Sequence, residues 1–171
     1  MKLSLLTCAF ALVSVAGCGR PFDVKTPPGL IELGSQDGAY AYRAMSPEGV
    51  VVAVRAVDEK RNDDIEFWTR SVELRMKELA GYALLGEGDV KSRDGTKGKE
   101  LRFGHDEGGK PYLYTVRIFV AQGRVFVVEA GGAKPQMERY SDTVGWTLDS
   151  VEVKCKGLLY PVLSSHTCNR W

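Results

Sequence analysis

Apolar residues alternate through the first well-marked strand of this chain. Val50, Val52, Val54 and Ala56 fall on one face of an extended segment, and Val51, Ala53, Arg55 and Val57 fall on the other. Both sets are largely apolar, which predicts a sheet covered on both sides. A strand over Ala39–Met45 precedes it through the turn Ser46-Pro47-Glu48-Gly49, with Pro and Gly at suitable turn positions. A short apolar segment, Gly29–Leu33, is expected to open the domain as an entry strand.

The period then changes from two to between three and four. Ile65, Trp68, Val72, Met76 and Leu79 predict a helix from about Asp64 to Ala80, laid on the sheet by one face. Asp63 and Glu66 have capping-box spacing, Glu73 and Lys77 form an i,i+4 pair, and Gly81 stands at the C′ position. Strands follow at Tyr82–Val90, Lys97–Gly104, Pro111–Ala121 and Arg124–Ala130. The polar segments Lys91–Thr96 and His105–Lys110 join the first three, and the two-residue turn Gln122-Gly123 joins the last pair. In the third of these strands Tyr112, Tyr114, Val116, Ile118 and Val120 face one way. Leu113, Thr115, Arg117, Phe119 and Ala121 face the other.

Lys134-Pro135 opens a second helix, with Met137, Tyr140, Val144, Leu148 and Val151 as its stripe. The fold class is therefore α+β: a mostly antiparallel sheet of about six strands flanked by two helices, in the order ββαββββα.

This order and texture resemble the PsbP/DcrB-like family over residues 29–153. The resemblance is carried by Glu78-Leu79-Ala80-Gly81-Tyr82, by Gly98-Lys99-Glu100-Leu101-Arg102-Phe103, and by the strands around Tyr112-Leu113-Tyr114 and Val125-Phe126-Val127-Val128. The family includes photosystem extrinsic subunits, a nuclear GTPase-binding protein and bacterial periplasmic lipoproteins. The resemblance implies a sandwich that binds or stabilises another protein, with no shared catalytic residues to carry over.

The beginning of the chain indicates where such a domain works. Lys2, the apolar run from Leu3 and the segment Val15-Ala16-Gly17-Cys18 resemble a bacterial lipoprotein signal. The resemblance implies removal of residues 1–17 and a lipid on Cys18, which anchors the protein to a membrane of the cell envelope, facing the periplasm. An ordinary secretory signal, cleaved after Ser14-Val15-Ala16, is the competing reading. Of Cys8, Cys18, Cys155 and Cys168, ordinary secretion leaves three, whereas lipidation of Cys18 leaves one pair. Gly19, in place of the aspartate that retains some lipoproteins at the inner membrane, favours the outer membrane. Residues 18–28, with Pro21, Pro27 and Pro28, are expected to form an anchored tether. Extended, residues 19–28 reach about 30–35 Å.

Cleavage leaves 154 of the 171 residues, with 22 basic against 22 acidic side chains once Lys2 is removed. A neutral chain of this size holds one domain and offers no electrostatic reason to bind nucleic acid or an anionic surface. In an envelope compartment Cys155 and Cys168 are expected to form a disulfide closing the tail 154–171, worth about 3 kcal/mol in the chain-entropy account. A metal site of Cys155, His166 and Cys168 is the sharper alternative, but it lacks a fourth ligand and zinc-like spacing.

Other candidate chemistry is thin. His105, beside Asp106 and Glu107, is expected at a solvated hairpin tip rather than in an acid–base or metal cluster. Ser164-Ser165-His166 lacks the elbow of a serine hydrolase. Gly86-Glu87-Gly88 and Gly131-Gly132-Ala133-Lys134 match no phosphate loop and are expected to be turn glycines. Trp68 belongs to the helical stripe. Trp146 falls off its stripe and is either core or an exposed contact residue. No cofactor or metal is implied. The expectation is a non-catalytic, lipid-anchored envelope protein with a protein partner. A small-molecule or lipid carrier with a pocket between sheet and helix, and a hydrolase centred on His105 or His166, are the rivals.

Overall fold

The computed structural model describes residues 20–34, 38–59 and 64–154. Seven strands form one sheet. They are β2 (Ile31–Glu32), β3 (Tyr42–Met45), β4 (Val51–Asp58), β5 (Ala83–Lys91), β6 (Lys97–Glu107), β7 (Lys110–Ala121) and β8 (Arg124–Ala133). The order across the sheet is β2-β3-β4-β8-β7-β6-β5, and every pairing is antiparallel. The entry strand expected over Gly29–Leu33 is β2, and with it the sheet of about six strands has seven. Gln122 and Gly123 both take positive φ (50° and 69°), as the expected two-residue turn requires.

Both faces of the sheet are covered. On one, Val52, Val54, Phe119, Phe126 and Val128 pack against α2 (Lys134–Arg139) and α3 (Ser141–Asp149) through Met137, Val144 and Leu148. On the other, Leu101, Phe103, Val116, Ile118, Val125 and Val127 meet Trp68, Val72 and Met76 of the first helix. That helix covers β6 to β8 but leaves the second face of β4 uncapped, so Val57 is 45% exposed.

The first helix, α1 (Ile65–Leu74), is capped by Asp64, whose Oδ1 accepts the Phe67 amide at 2.9 Å. The cap is thus Asp64 and not Asp63, which lies outside the described residues. The helix continues as a π-helical turn over Arg75–Leu79. The wider winding breaks the 3.6-residue phase, so the apolar stripe ends at Met76 and Leu79 is 80% exposed. Gly81 (φ +67°) closes the end, and the Tyr82 amide donates to the Met76 carbonyl at 2.9 Å, six residues back.

The expected second helix is two, α2 and α3, broken at Tyr140 (φ −94°, ψ 12°). The Tyr140 hydroxyl donates to Glu48 in the β3–β4 turn, tying the break to the sheet. The stripe Met137, Val144, Leu148 and Val151 stays buried across the break.

The segment expected as a tether is part of the fold. Phe22 is fully buried at 1% exposure in the core beneath α3. A two-stranded ribbon pairs β1 (Phe22–Asp23) with β9 (Glu152–Val153), and the Lys154 amide donates to the Pro21 carbonyl at 2.9 Å. The prolines suggested a solvated spacer. Burying Phe22, Leu30 and Pro27 outweighs that preference. Within residues 18–28, packing therefore begins by Pro21.

The glycines expected in turns lie inside strands. Gly86 and Gly88 are in β5, at and after a bulge between Leu84 and Gly86, and Gly131 and Gly132 are in β8. A Cβ at Gly131 would stand 2.5 Å from the Tyr114 ring, and one at Gly86 would stand 2.8 Å from the Arg102 guanidinium. Gly86 and Gly131 make room for large neighbours rather than for chain reversal.

Candidate binding surface

The helices α2 and α3 cover the centre of their sheet face and stop short of its β5 edge. This leaves a groove of about 530 Å³. Met137, Val144, Gly145 and Leu148 form its helical wall, and Leu113 and the bulged Leu85 contribute apolar surface opposite. Leu85 is 60% exposed, because the bulge turns it out of the pleat.

The groove floor is ionic. Arg117 is nearly buried. Its Nε donates to Glu100 Oε2 at 2.7 Å and its Nη1 to Asp149 Oδ1 at 2.6 Å, joining β7 to the last turn of α3. Arg102 lies across Gly86 with its Nε 3.9 Å from Glu100 Oε1, and it is largely exposed. The floor thus keeps one guanidinium that is only loosely held, beside an apolar wall. That combination suits a segment presenting a carboxylate or backbone carbonyls together with an apolar side chain.

Trp146 is 49% exposed on α3. Helical spacing puts it on the same outer face as Asp142 and Asp149, and Asp149 is the carboxylate that grips Arg117. The structure thus answers one part of the sequence reading: Trp146 is not a core residue.

A second concavity, of about 330 Å³, occupies the part of the opposite face that α1 leaves open. Tyr40, Tyr82, Tyr112 and Tyr114 line it, with Arg43 and Glu129. Glu129 is 7% exposed. Its Oε1 accepts from Arg55 Nη2 at 3.1 Å, and its Oε2 is buried without a hydrogen bond. Arg55 also sits 5.8 Å over the Tyr40 ring. Burial, and then the negative charge of Glu129, push the Tyr114 and Tyr40 hydroxyls above the usual tyrosine range. Sequence reasoning missed this cluster. Its signal was available: Glu129 interrupts the apolar run Val125–Ala130 and Arg55 interrupts Val50–Val57, and the two strands pair.

His105 is not at a hairpin tip. It lies in β6 opposite Tyr112, because the strand runs on to Glu107 and the reversal falls at Gly108-Gly109. Its ring stacks on Tyr82 (centroids 4.8 Å apart, planes at 26°), and its Nδ1 lies 3.1 Å from the Gly81 carbonyl. His105 thereby pins the end of the π-helical turn. Asp106 Oδ1 accepts the Gly109 amide at 2.9 Å and shapes the tip. Among the described residues no cluster of His, Cys, Asp and Glu is arranged to hold a metal ion. Cys18, Cys155, His166 and Cys168 lie outside the described residues.

The sequence matches no family model and no curated protein. Solved structures do match. LpqN, involved in cell envelope biogenesis of Mycobacterium tuberculosis, superposes with a TM-score of 0.62 at 14% identity, over 78% of this chain and 83% of that one. The Ran-binding protein Mog1p of Saccharomyces cerevisiae gives 0.57 at 10% identity, over 78% and 90%. Cyanobacterial PsbP from Synechocystis gives 0.53 at 12% identity, over 83% and 98%. At such identities the likeness is one of fold, and the chain has a PsbP-like α+β fold with a mostly antiparallel sheet.

Proposed function

We propose that this chain is a lipid-anchored protein of the bacterial envelope, acylated on Cys18 and facing the periplasm, whose domain binds or stabilises another envelope protein. The groove between α2–α3 and the β5 edge carries the reading. It joins an apolar wall, an exposed Leu85 and a loosely held Arg102, with Trp146 exposed on the bordering helix. Interfaces draw their affinity from such aromatic and arginine anchors. The likeness to LpqN and Mog1p supports a binding role by analogy of fold. Gly19 favours the outer membrane, and the envelope location favours a Cys155–Cys168 disulfide in the tail.

Crosslinking in intact cells of the source bacterium tests this reading. Wild-type protein is expected to capture one dominant partner, and Trp146→Ala combined with Leu85→Ser is expected to lose it. Equal capture by both would remove the groove from the interface. Growth with labelled palmitate tests the anchor: wild-type is expected to take up label, and Cys18→Ser to take up none.

The groove's volume also favours a second reading, a carrier for a small molecule held between sheet and helix. Mass spectrometry of protein purified without detergent distinguishes the two. A stoichiometric co-purifying compound supports the carrier, and an empty protein supports the partner.

A further inference from the structure

The tyrosine-lined pocket holds two opposite charges that do not meet. Arg43, Ala53 and Glu129 lie side by side on β3, β4 and β8, in the registers Arg43↔Ala53 and Ala53↔Glu129. Their side chains therefore share one face of the sheet, and the backbones of Arg43 and Glu129 stand about 10 Å apart, two strand spacings. Ala53 is too short to fill the space between them. Arg43 and Glu129 both line the pocket, yet the ion pair that Glu129 makes is with Arg55.

Arg55 engages only half of that carboxylate. Its Nη2 reaches Oε1 at 3.1 Å, while Oε2 has no hydrogen bond although Glu129 is 7% exposed. An unmet acceptor is costly on a buried carboxylate. Arg43 is exposed at the rim, and its neighbours across the ladder are Leu33 and Ala53. Its guanidinium makes no ion pair or hydrogen bond among the described residues, and Glu32 of β2 is taken by Arg20 at 3.0 Å. The remaining lining residues are uncharged. Arg55 balances Glu129, so the pocket keeps one positive charge and one open acceptor. A ligand that completes it is an anion that also carries an N–H or O–H donor.

The last residue of a peptide chain has both features on one Cα, so a single residue spans the gap. Tyr40, Tyr82, Tyr112 and Tyr114 offer its side chain apolar rings with polar tips. At about 330 Å³ the pocket is at the small end of ligand sites, which suits one residue rather than a helix. We propose that the pocket captures the carboxylate end of a peptide: Arg43 holds the terminal carboxylate, Glu129 Oε2 accepts the last peptide N–H, and the tyrosines enclose the last side chain. Oε2 is covered in the free protein, with Tyr40 and Tyr114 against the same carboxylate. Tyr40 precedes β3 and is not part of the ladder, so its ring turns aside as the N–H enters. The pocket lies on the opposite face of the sheet from the groove. The assignment depends neither on the groove nor on acylation of Cys18.

Calorimetric titration of the purified full chain with three probes tests this. N-acetyl-L-phenylalanine carries the charge and the N–H, N-acetyl-L-phenylalaninamide lacks the charge, and 3-phenylpropionate lacks the N–H. The first is expected to bind at least about tenfold more tightly than either of the others. Arg43→Ala, an exposed change, is expected to bring the acid and its amide within about twofold of each other. In Glu129→Gln, Arg55 keeps the amide oxygen and the new NH2 faces the ligand's N–H, so the preference over 3-phenylpropionate is expected to disappear. If that buried change prevents folding, the three probes on wild-type and Arg43→Ala decide alone. Equal binding of acid and amide by wild-type, or a preference that survives Arg43→Ala, overturns the proposal. Equal binding of 3-phenylpropionate reveals a general anion site and overturns the peptide assignment. No saturation by N-acetyl-L-phenylalanine up to about 10 mM overturns it as well.

Discussion

Phe119 lies across Gly98, its partner in the β6–β7 register, with ring carbons 2.5 Å from where a Gly98 Cβ would stand. The Ile118 carbonyl is only 2.7 Å from the same point. Gly98→Ala must therefore push a fully buried ring, or the strand itself. It is expected to cost about 1–3 kcal/mol in denaturant unfolding. Gly88→Ala, on the neighbouring edge strand where nothing lies within 4 Å, is expected to leave the midpoint unchanged.

Phe22 tests whether the segment ahead of the domain is packed or free. Phe22→Ala empties a fully buried ring site between β9 and the core and is expected to destabilise by about 3–5 kcal/mol. In a free tether the same change has no effect on the unfolding midpoint, so one chemical denaturation series decides the matter.

The α1 cap rests on Asp64. Asp64→Ala removes the acceptor of the Phe67 amide and is expected to cost about 1 kcal/mol, read as a lower thermal midpoint. Asp64→Ser is expected to restore most of the loss.

Alkaline stability reads the tyrosine pocket. Burial and the Glu129 charge hold the Tyr114 proton in the native state above the ordinary value of about 10. The unfolded chain releases that proton first. The contribution is therefore complete below about pH 10 and is lost as pH rises toward the native value. Tyr114→Phe is expected to flatten the decline by about 1 kcal/mol per pH unit, measured by urea unfolding above pH 10.

Trp146→Ala separates binding from folding. The side chain is half-exposed, so stability is expected to stay within about 0.5 kcal/mol of wild-type. A Trp146 hot spot predicts at least a roughly 30-fold weaker Kd for the captured partner, read by titration.

Periodicity carried the strands and helices well because each element spends most of its length against one environment. The alternation in Pro111–Ala121 separated the two cores residue by residue, and Gln122-Gly123 marked its turn. The misses share a cause. Leu79 left the stripe because the helix changed its winding, and the second helix broke where Tyr140 met Glu48, 92 positions away in the chain. His105 moved from tip to strand because stacking on Tyr82 extended the β6–β7 ladder.

Local pattern alone determined the α+β class, the antiparallel order and the two-sided sheet, since these follow from which side chains avoid water. The packing of Phe22, the groove beside α3 and the buried Glu129 were decided by tertiary structure. Each depends on residues far apart in the chain being brought together, and the net charge and spacing of a sequence do not report those meetings.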